Sequence, residues 1–427
     1  MKINSALRLV LLLTLVGLSP LAAPCGGQEI DSEKLIQDGD RIVFLGATFI
    51  ERMQDSGYLE TELTSRLASR AVTFRNLGWS GDTVAGIARA VFGTPDQGFL
   101  RLDRDVKGTR PTVVVLCYGG NEAHDGPAGL PGFEIKTRKL LENLEQLTSR
   151  IVFLAPVGQE QRPAPLPSPT AYNKNLKLYV QSLRTIAGER GHRFLEVGRL
   201  AQLARRRLDL PAGQLGLTDN GLHYGDRGYW ALAPGIAGGL IPSGGEGGPR
   251  WSVTLDIKEQ QTASRGVSVT KEKLTSEHVV FEAVSARLPR PKAPRAFEGQ
   301  VRLDRLSGPG RVLTVVGLQP GSYRLLVDGK SLQVTTSDKL AAGISLTGSW
   351  EQAQVAQLRS VIRAKNRLYF HRYRPQNETY LFLFRKHEQG NNAVEIPQYD
   401  PLVKAAEMKI AALKQPRSHR FELLRQK

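Results

Sequence analysis

"DRIVFLGATFIE" (residues 40–51) is the stretch on which the fold turns. Ile42, Val43, Phe44 and Leu45 form an unbroken apolar run that ends in a small-residue turn, Gly46-Ala47-Thr48. A short run of this kind, bounded by a turn, reads as a strand buried on both faces. Four further stretches share the pattern: "AVTFRNLG" (71–78), "TVVVLCYGG" (112–120), "RIVFLAPV" (150–157) and "RFLEVG" (193–198). Helical patterns lie between them, in "GYLETELTSRLASR" (57–70), "FEIKTRKLLENLEQLTSR" (133–150) and "NKNLKLYVQSLRTIAGERG" (173–191). In the last, Leu176, Leu178, Tyr179, Leu183 and Ile186 recur near the helical period, and Gly191 stops it. Strands alternating with helices predict an α/β domain with a parallel sheet covered on both faces. Ligands of such sheets bind beyond the carboxyl ends of the strands, so the loops there are the place to look for chemistry.

The chain has 427 residues, enough for two or three domains. Its first 27 residues stand apart: Lys2 and Arg8 precede "LVLLLTLVGL", and "SPLAAPCGGQ" follows. This is the layout of a secretory signal peptide, too short to span a bilayer. A lipoprotein anchor at Cys25 is disfavoured by Pro24, which stands where a small residue is wanted. The expected location is therefore secreted or periplasmic, with no membrane span. The second cysteine, Cys117, ends an apolar run and reads as a buried core thiol. No disulfide, metal or cofactor is expected.

Residues 28–245 carry the α/β pattern, and "SGGEGGPR" (243–250) breaks it. Short alternating runs follow: "WSVTLDI", "HVVFEAVSARL" and "GRVLTVVGLQPGSYRLLVDGKSLQVT". They predict a small β-rich domain over 246–346, with "QPGS" and "VDGK" as turns of a hairpin or meander. From 347 to 427 a helical period returns through Val355, Leu358 and Ile362, and "DPLVKAAEMKIAALK" reads as a closing helix with Asp400 as its N-cap. Of the net charge of +17, residues from 250 onward supply +14, with 30 Lys and Arg against 16 Asp and Glu. Without a nucleic-acid motif, this basic half suits an anionic envelope surface rather than specific DNA or RNA.

Chemistry-bearing residues gather in loops after the predicted strands. Thr48 offers a hydroxyl; "NLGWSGDTV" (76–84) offers backbone donors at Gly81, with Asp82 and Thr83 opening a helix; "CYGGNEA" (117–123) offers the Asn121 amide. Far along the chain, "LTDNGLHYGDRGY" (217–229) places His223 just before a helix. A hydroxyl, two oxyanion donors and a histidine are the components of acyl transfer.

In this order the four blocks resemble the SGNH hydrolases, or GDSL esterases and lipases, over residues 40–240. The most specific pieces are "NLGWSGDT", "GGNE" and "GLHYGDRGY". The resemblance implies a flavodoxin-like three-layer α/β/α domain, here with a β-rich domain and a C-terminal helical segment packing back on it. It implies ester hydrolysis of an acyl or acetyl ester, small-molecule or carbohydrate, without a cofactor. Gly81 and Asn121 match the oxyanion residues and His223 the base. Thr48 stands where the family has its nucleophilic serine, and Asn220 where it has the triad aspartate; Asp219 lies one position off. The extra methyl of threonine crowds attack on a carbonyl, and an amide cannot stabilise an imidazolium as a carboxylate does. Asp219, Asp226 or a backbone carbonyl could take over the orienting role. The polar-dense stretch "HRYRPQNETYLFLFRKHEQG" (371–390) reads either as a salt-bridged strand pair or as a segment returning to the pocket. In the second case His371, Arg374, Asn377 and Glu378 contact substrate. The competing reading of the whole is a catalytically impaired SGNH-fold protein that binds a glycan or envelope ligand.

Overall fold

The computed structural model describes residues 35–162, 164–210, 216–241, 251–295, 310–346, 350–388 and 390–426, so the expected leader and Cys25 lie outside the described residues. The continuous apolar runs form β1 (Arg41–Gly46), β2 (Thr73–Gly78), β3 (Val113–Cys117), β4 (Ile151–Leu154) and β5 (Arg193–Leu195). They make one parallel sheet in the order β2-β1-β3-β4-β5. Alternate residues point to opposite faces, so each strand feeds two cores. Ile42, Phe44, Val113 and Val115 pack with α1 (Thr48–Ser56), α2 (Tyr58–Arg66), α6 (Val197–Arg207) and α7 (Asp226–Leu240). Val43, Leu45, Val114 and Leu116 pack with α3 (Pro95–Thr109), α4 (Gly126–Glu145) and α5 (Thr170–Glu189). Strand order reverses between β1 and β3, which puts a crevice at their carboxyl ends.

The second half forms two further sheets. One has the order β13-β10-β6-β7, from β6 (Ser252–Asp256), β7 (Gln261–Arg265), β10 (Arg311–Val316) and β13 (Ile344–Leu346). The other is β12-β11-β14-β9-β8, from β8 (Val267–Leu274), β9 (His278–Ser285), β11 (Ser322–Val327), β12 (Lys330–Thr336) and β14 (Ser418–Arg425). Their shared core includes Trp251, Phe281, Tyr323 and Phe421, with the Phe281 and Phe421 rings stacked at 4.9 Å. "VDGK" is the β11–β12 hairpin, with Asp328 and Gly329 both at positive φ. "QPGS" instead carries the chain from one sheet to the other, since β10 and β11 belong to different sheets. A further departure is β14, which lies within the expected helical tail and inserts between β9 and β11. β14 is thus the central strand of the second sheet.

α8 (Ser337–Ala342) is a short connector, and α9 (Gln352–Tyr373) returns to the α/β domain. Val355, Leu358 and Ile362 are fully buried with Leu413 from α11 (Tyr399–Leu413), as their period predicted. Asp400 falls in the first turn of α11, whose N-cap is Gln398. The polar stretch 371–390 is the end of α9, the single turn α10 (Glu378–Leu381) and further turns, not a strand pair. α9 lies against α1, α2 and β2 through a buried polar cluster. Lys365 Nζ donates to Glu60 Oε1 at 2.6 Å and to Phe74 O at 3.1 Å, and Asn366 Nδ2 donates to Glu60 Oε2 at 2.9 Å. Removing one member of such a buried pair typically costs about 3–5 kcal/mol, so the tail is part of the α/β fold. Among the described residues no helix is long and apolar enough to cross a membrane.

Candidate active site

β1 delivers Gly46, Ala47 and Thr48 to the crevice. A Cβ on Gly46 would sit 2.4 Å from Cys117 O, so the approach of β1 to β3 at this point requires glycine. Ala47 N–H donates to Cys117 O at 3.3 Å and Ala47 caps α1, leaving Thr48 as the first helical residue. Thr48 Oγ1 accepts from Gly81 N–H at 3.3 Å. Gly81 sits at φ +77, a backbone conformation that favours glycine.

The loop around Gly81 is not the helix start that "SGDT" suggested. The chain turns from Trp79 to Gly86 and makes only one 3₁₀ turn at Ile87–Ala90. Asp82 is buried in it, accepting from Arg89 Nε at 2.7 Å and Tyr118 Oη at 3.0 Å. This pins the loop, and Asp82 O in turn accepts from Asn121 Nδ2 at 2.7 Å. Glu122 completes the support: its two carboxylate oxygens accept from Val84 N–H at 2.8 Å and Gly119 N–H at 2.9 Å. Burial raises the Glu122 carboxyl above its usual range, against these backbone donors. Glu in the fourth position of "GGNE" therefore ties the Gly81 and Asn121 loops to each other. Cys117 is buried as expected, and burial, with a smaller push from Glu122, takes its thiol up to about 12. A thiol held that far up is a poor nucleophile at neutral pH.

His223 lies in the loop before α7. Asn220 Oδ1 accepts from Leu222 N–H at 3.1 Å and from His223 N–H at 2.9 Å, which fixes the direction of the amide. Its Nδ2 then faces His223 Nδ1 at 3.1 Å. An amide nitrogen can only donate, so Nδ1 is the acceptor and the ring proton sits on Nε2. Flipping the amide would aim its NH₂ at two backbone N–H groups. Burial first, then the Arg52 charge, lowers the His223 pKa, with Asp219 opposing. Neither alternative carboxylate orients the ring. The Asp219 side chain lies against Gly225 and 3.8 Å from Arg52, while its backbone N–H donates to His223 O at 2.8 Å; Asp226 faces Arg359 at 3.4 Å.

Thr48, Asn121 and His223 line a single pocket of about 210 Å³, together with Arg52, His124 and Tyr172. Thr48 and His223 make no direct hydrogen bond. Of the tail residues proposed as substrate contacts, His371, Arg374, Asn377 and Glu378, none lines this pocket. Glu378 pairs with Arg101, and the His371 ring lies near Phe370 and Tyr399. Asn377 O accepts from Tyr380 N–H at 3.1 Å and Leu381 N–H at 3.0 Å. Arg374 donates to Glu51 Oε2 at 2.7 Å and stacks on Trp79 at 3.9 Å. With Tyr373 Oη, which donates to Gly78 O at 2.6 Å, it braces the Gly81 loop from behind. Sequence reasoning missed Arg52, though it stands one helical turn after Thr48, where side chains share a face. It also missed Tyr373, whose contact has no local signal.

Residues 45–231 match the GDSL-like Lipase/Acylhydrolase family. Among solved structures, a gut microbial diltiazem-metabolizing enzyme is similar at 15% identity and a TM-score of 0.69, covering 94% of this chain and 100% of that one. That likeness shows the fold, including the β unit and tail. An acetylxylan esterase from Geobacillus stearothermophilus is similar at 17% identity and a TM-score of 0.39, over 48% of this chain and 95% of that one. A lipase/acylhydrolase from Enterococcus faecalis is similar at 20% identity and a TM-score of 0.33, over 48% and 96%. No curated protein matches the chain in sequence. The order of the sheet agrees with the family match, and the α/β domain of this chain is similar to the GDSL-like lipases/acylhydrolases, or SGNH hydrolases.

Proposed function

We propose that the protein is an exported hydrolase of acyl or acetyl esters, on a small molecule or a carbohydrate, with Thr48 as nucleophile. The observation that carries this reading is the Thr48 hydroxyl at the Gly81 amide, in one pocket with Asn121 and His223. The His223 ring proton moves from Nε2 to Nδ1, and Thr48 Oγ then bonds to the acyl carbon while its own proton passes to the freed Nε2. The resulting oxyanion is met by Gly81 N–H and the Asn121 amide. Collapse expels the alcohol with the proton from His223, and water, deprotonated by His223, then releases the acid. Cleavage of the leader and weak, salt-screened contact of the basic half with an anionic envelope belong to the same reading.

The test is turnover of aryl acetates and acetylated sugars by the purified mature chain. Thr48→Ala should abolish hydrolysis, and Thr48→Ser should retain or raise it. His223→Ala should be as damaging as Thr48→Ala and the double variant little worse, since the two act as a unit. Full activity in Thr48→Ala would remove Thr48 from the chemistry.

One observation favours a second reading. The Asn220 amide at Nδ1 leaves His223 with a proton on Nε2, where a base needs a lone pair. A protein in this state binds a glycan or envelope ligand in the pocket without turning it over. Saturable ligand binding with no hydrolysis in either wild type or Thr48→Ser would support it.

A further inference from the structure

The pocket holds one full charge that ester hydrolysis does not use. Arg52 follows Thr48 by one turn of α1, so the two side chains stand on the same face. Long helical side chains lean toward the helix N-terminus, which brings the guanidinium over the pocket it lines. Arg52 Nε is buried and has no hydrogen-bond partner. The carboxylate paired with it, Asp219 Oδ2, is 3.8 Å from Nη2, beyond hydrogen-bond range. The Arg52 and Asp219 side chains are 41% and 51% exposed, so water screens that pair and only Nε of the guanidinium is shut away from it.

The rest of the lining does not supply an acceptor charge. It contains no Asp or Glu. The Tyr172 and Tyr229 hydroxyls are committed to Gly120 O at 2.8 Å and Phe49 O at 2.7 Å. His223 presents Nε2–H in the tautomer that Asn220 imposes. A guanidinium whose buried donor lacks an acceptor is a penalty in the free protein, and a planar, two-oxygen anion relieves it by bidentate pairing. The single positive charge suits a carboxylate better than a phosphate dianion.

We propose that Arg52 is a carboxylate subsite, so that the pocket selects ligands carrying a carboxylate near the group held at Thr48. The carboxylate belongs to either the acyl or the alcohol part. This deepens the esterase reading by naming a substrate class, and its binding test stands without turnover. Titration calorimetry of glucuronate against glucose probes the alcohol side, and succinate against succinamide the acyl side. Wild type should bind at least one acid about tenfold or more tighter than its neutral partner, the effect of one charge-assisted hydrogen bond. Arg52→Gln should bring that ratio close to one. Should Arg52→Gln fail to fold, Arg52→Lys keeps the charge without the fork, and the ratio should fall but remain salt-sensitive. No preference in wild type, or one that survives Arg52→Gln, overturns the subsite. A protein that discriminates the acids but hydrolyses no ester defeats the esterase reading alone. One that binds acid and neutral partners equally, while hydrolysing esters, defeats the subsite alone.

Discussion

Asn220→Asp changes one atom's chemistry at the point where proton transfer is decided. In the present structure Asn220 Nδ2 donates to His223 Nδ1 at 3.1 Å. For His223 to take the Thr48 proton, the ring proton must move to Nδ1 and point at an NH₂ group. That forfeits a hydrogen bond of about 1 kcal/mol and leaves opposed donors worth about 1–3 kcal/mol, some 2–4 kcal/mol in all. At 1.36 kcal/mol per factor of ten, the barrier relief is about 30- to 1,000-fold in rate. Asn220 is exposed, and water tempers both contributions, so the lower end, about 30-fold, is the expectation. An Asp at this position keeps an oxygen for Leu222 N–H and His223 N–H and offers the other to Nδ1–H. The pH dependence gives a second readout. His223 acts as a base only when neutral, and its lowered pKa puts the acid limb of kcat/KM below the usual imidazole range. A carboxylate at 220 favours the imidazolium and should move that limb to higher pH. The assay is aryl acetate hydrolysis across pH with both proteins folded to the same thermal transition. An unchanged rate with an unmoved limb would refute the tautomer argument.

Two further outcomes concern the tail. Tyr373→Phe removes the donor to Gly78 O and should lower kcat more than it raises KM, with about 1 kcal/mol of stability lost by urea unfolding; an equal kcat would show that the Gly81 loop does not need the brace. A chain ending at residue 245 loses Lys365 and Asn366 from buried Glu60 and uncovers the apolar surface under α9, so it should aggregate and lose activity. Size-exclusion chromatography and the ester assay check this, and a soluble, fully active fragment would contradict it.

The parallel sheet was legible because β1, β3 and β4 are short continuous apolar runs bounded by turns, as burial on both faces requires. The placement of Asn121 in the crevice was legible for a related reason, since it follows β3 in the loop at the carboxyl end of the sheet. β14 was not, although Phe421 and Leu423 alternate inward. Its partners, β9 and β11, lie about a hundred residues earlier, and nothing local names them. The contacts of Lys365, Asn366, Tyr373 and Arg374 were not legible because their acceptors, Glu60, Phe74, Gly78 and Glu51, come from the first 80 residues. The direction of the Asn220 amide was equally hidden, being set by two backbone N–H groups of its own turn. Arg52 alone had a local signal, its i+4 spacing from Thr48.

In the proposed mechanism both departures at the site bear on the attack by Thr48, and Asn220 bears on the activation of water as well. Thr48 crowds the attacking oxygen, and Asn220 withholds the acceptor lone pair from the base, so both weaken nucleophile activation. The donors that the proposed mechanism assigns to the developing negative charge are in place: Gly81 N–H reaches the Thr48 oxygen, Asn121 is held by Asp82 O, and Glu122 ties the loops that carry them. One oxyanion donor is worth about 10²–10³ in kcat in enzymes of this chemistry, so a site with both retains substantial stabilisation of the transition state even with a weak base. The expected phenotype of the wild type is therefore slow turnover, with attack by Thr48 weakened on both counts. Thr48→Ser and Asn220→Asp should each raise the rate of that step, and their combination should exceed either, because one relieves crowding and the other supplies the base. A double variant no faster than the better single one would place the limiting step elsewhere.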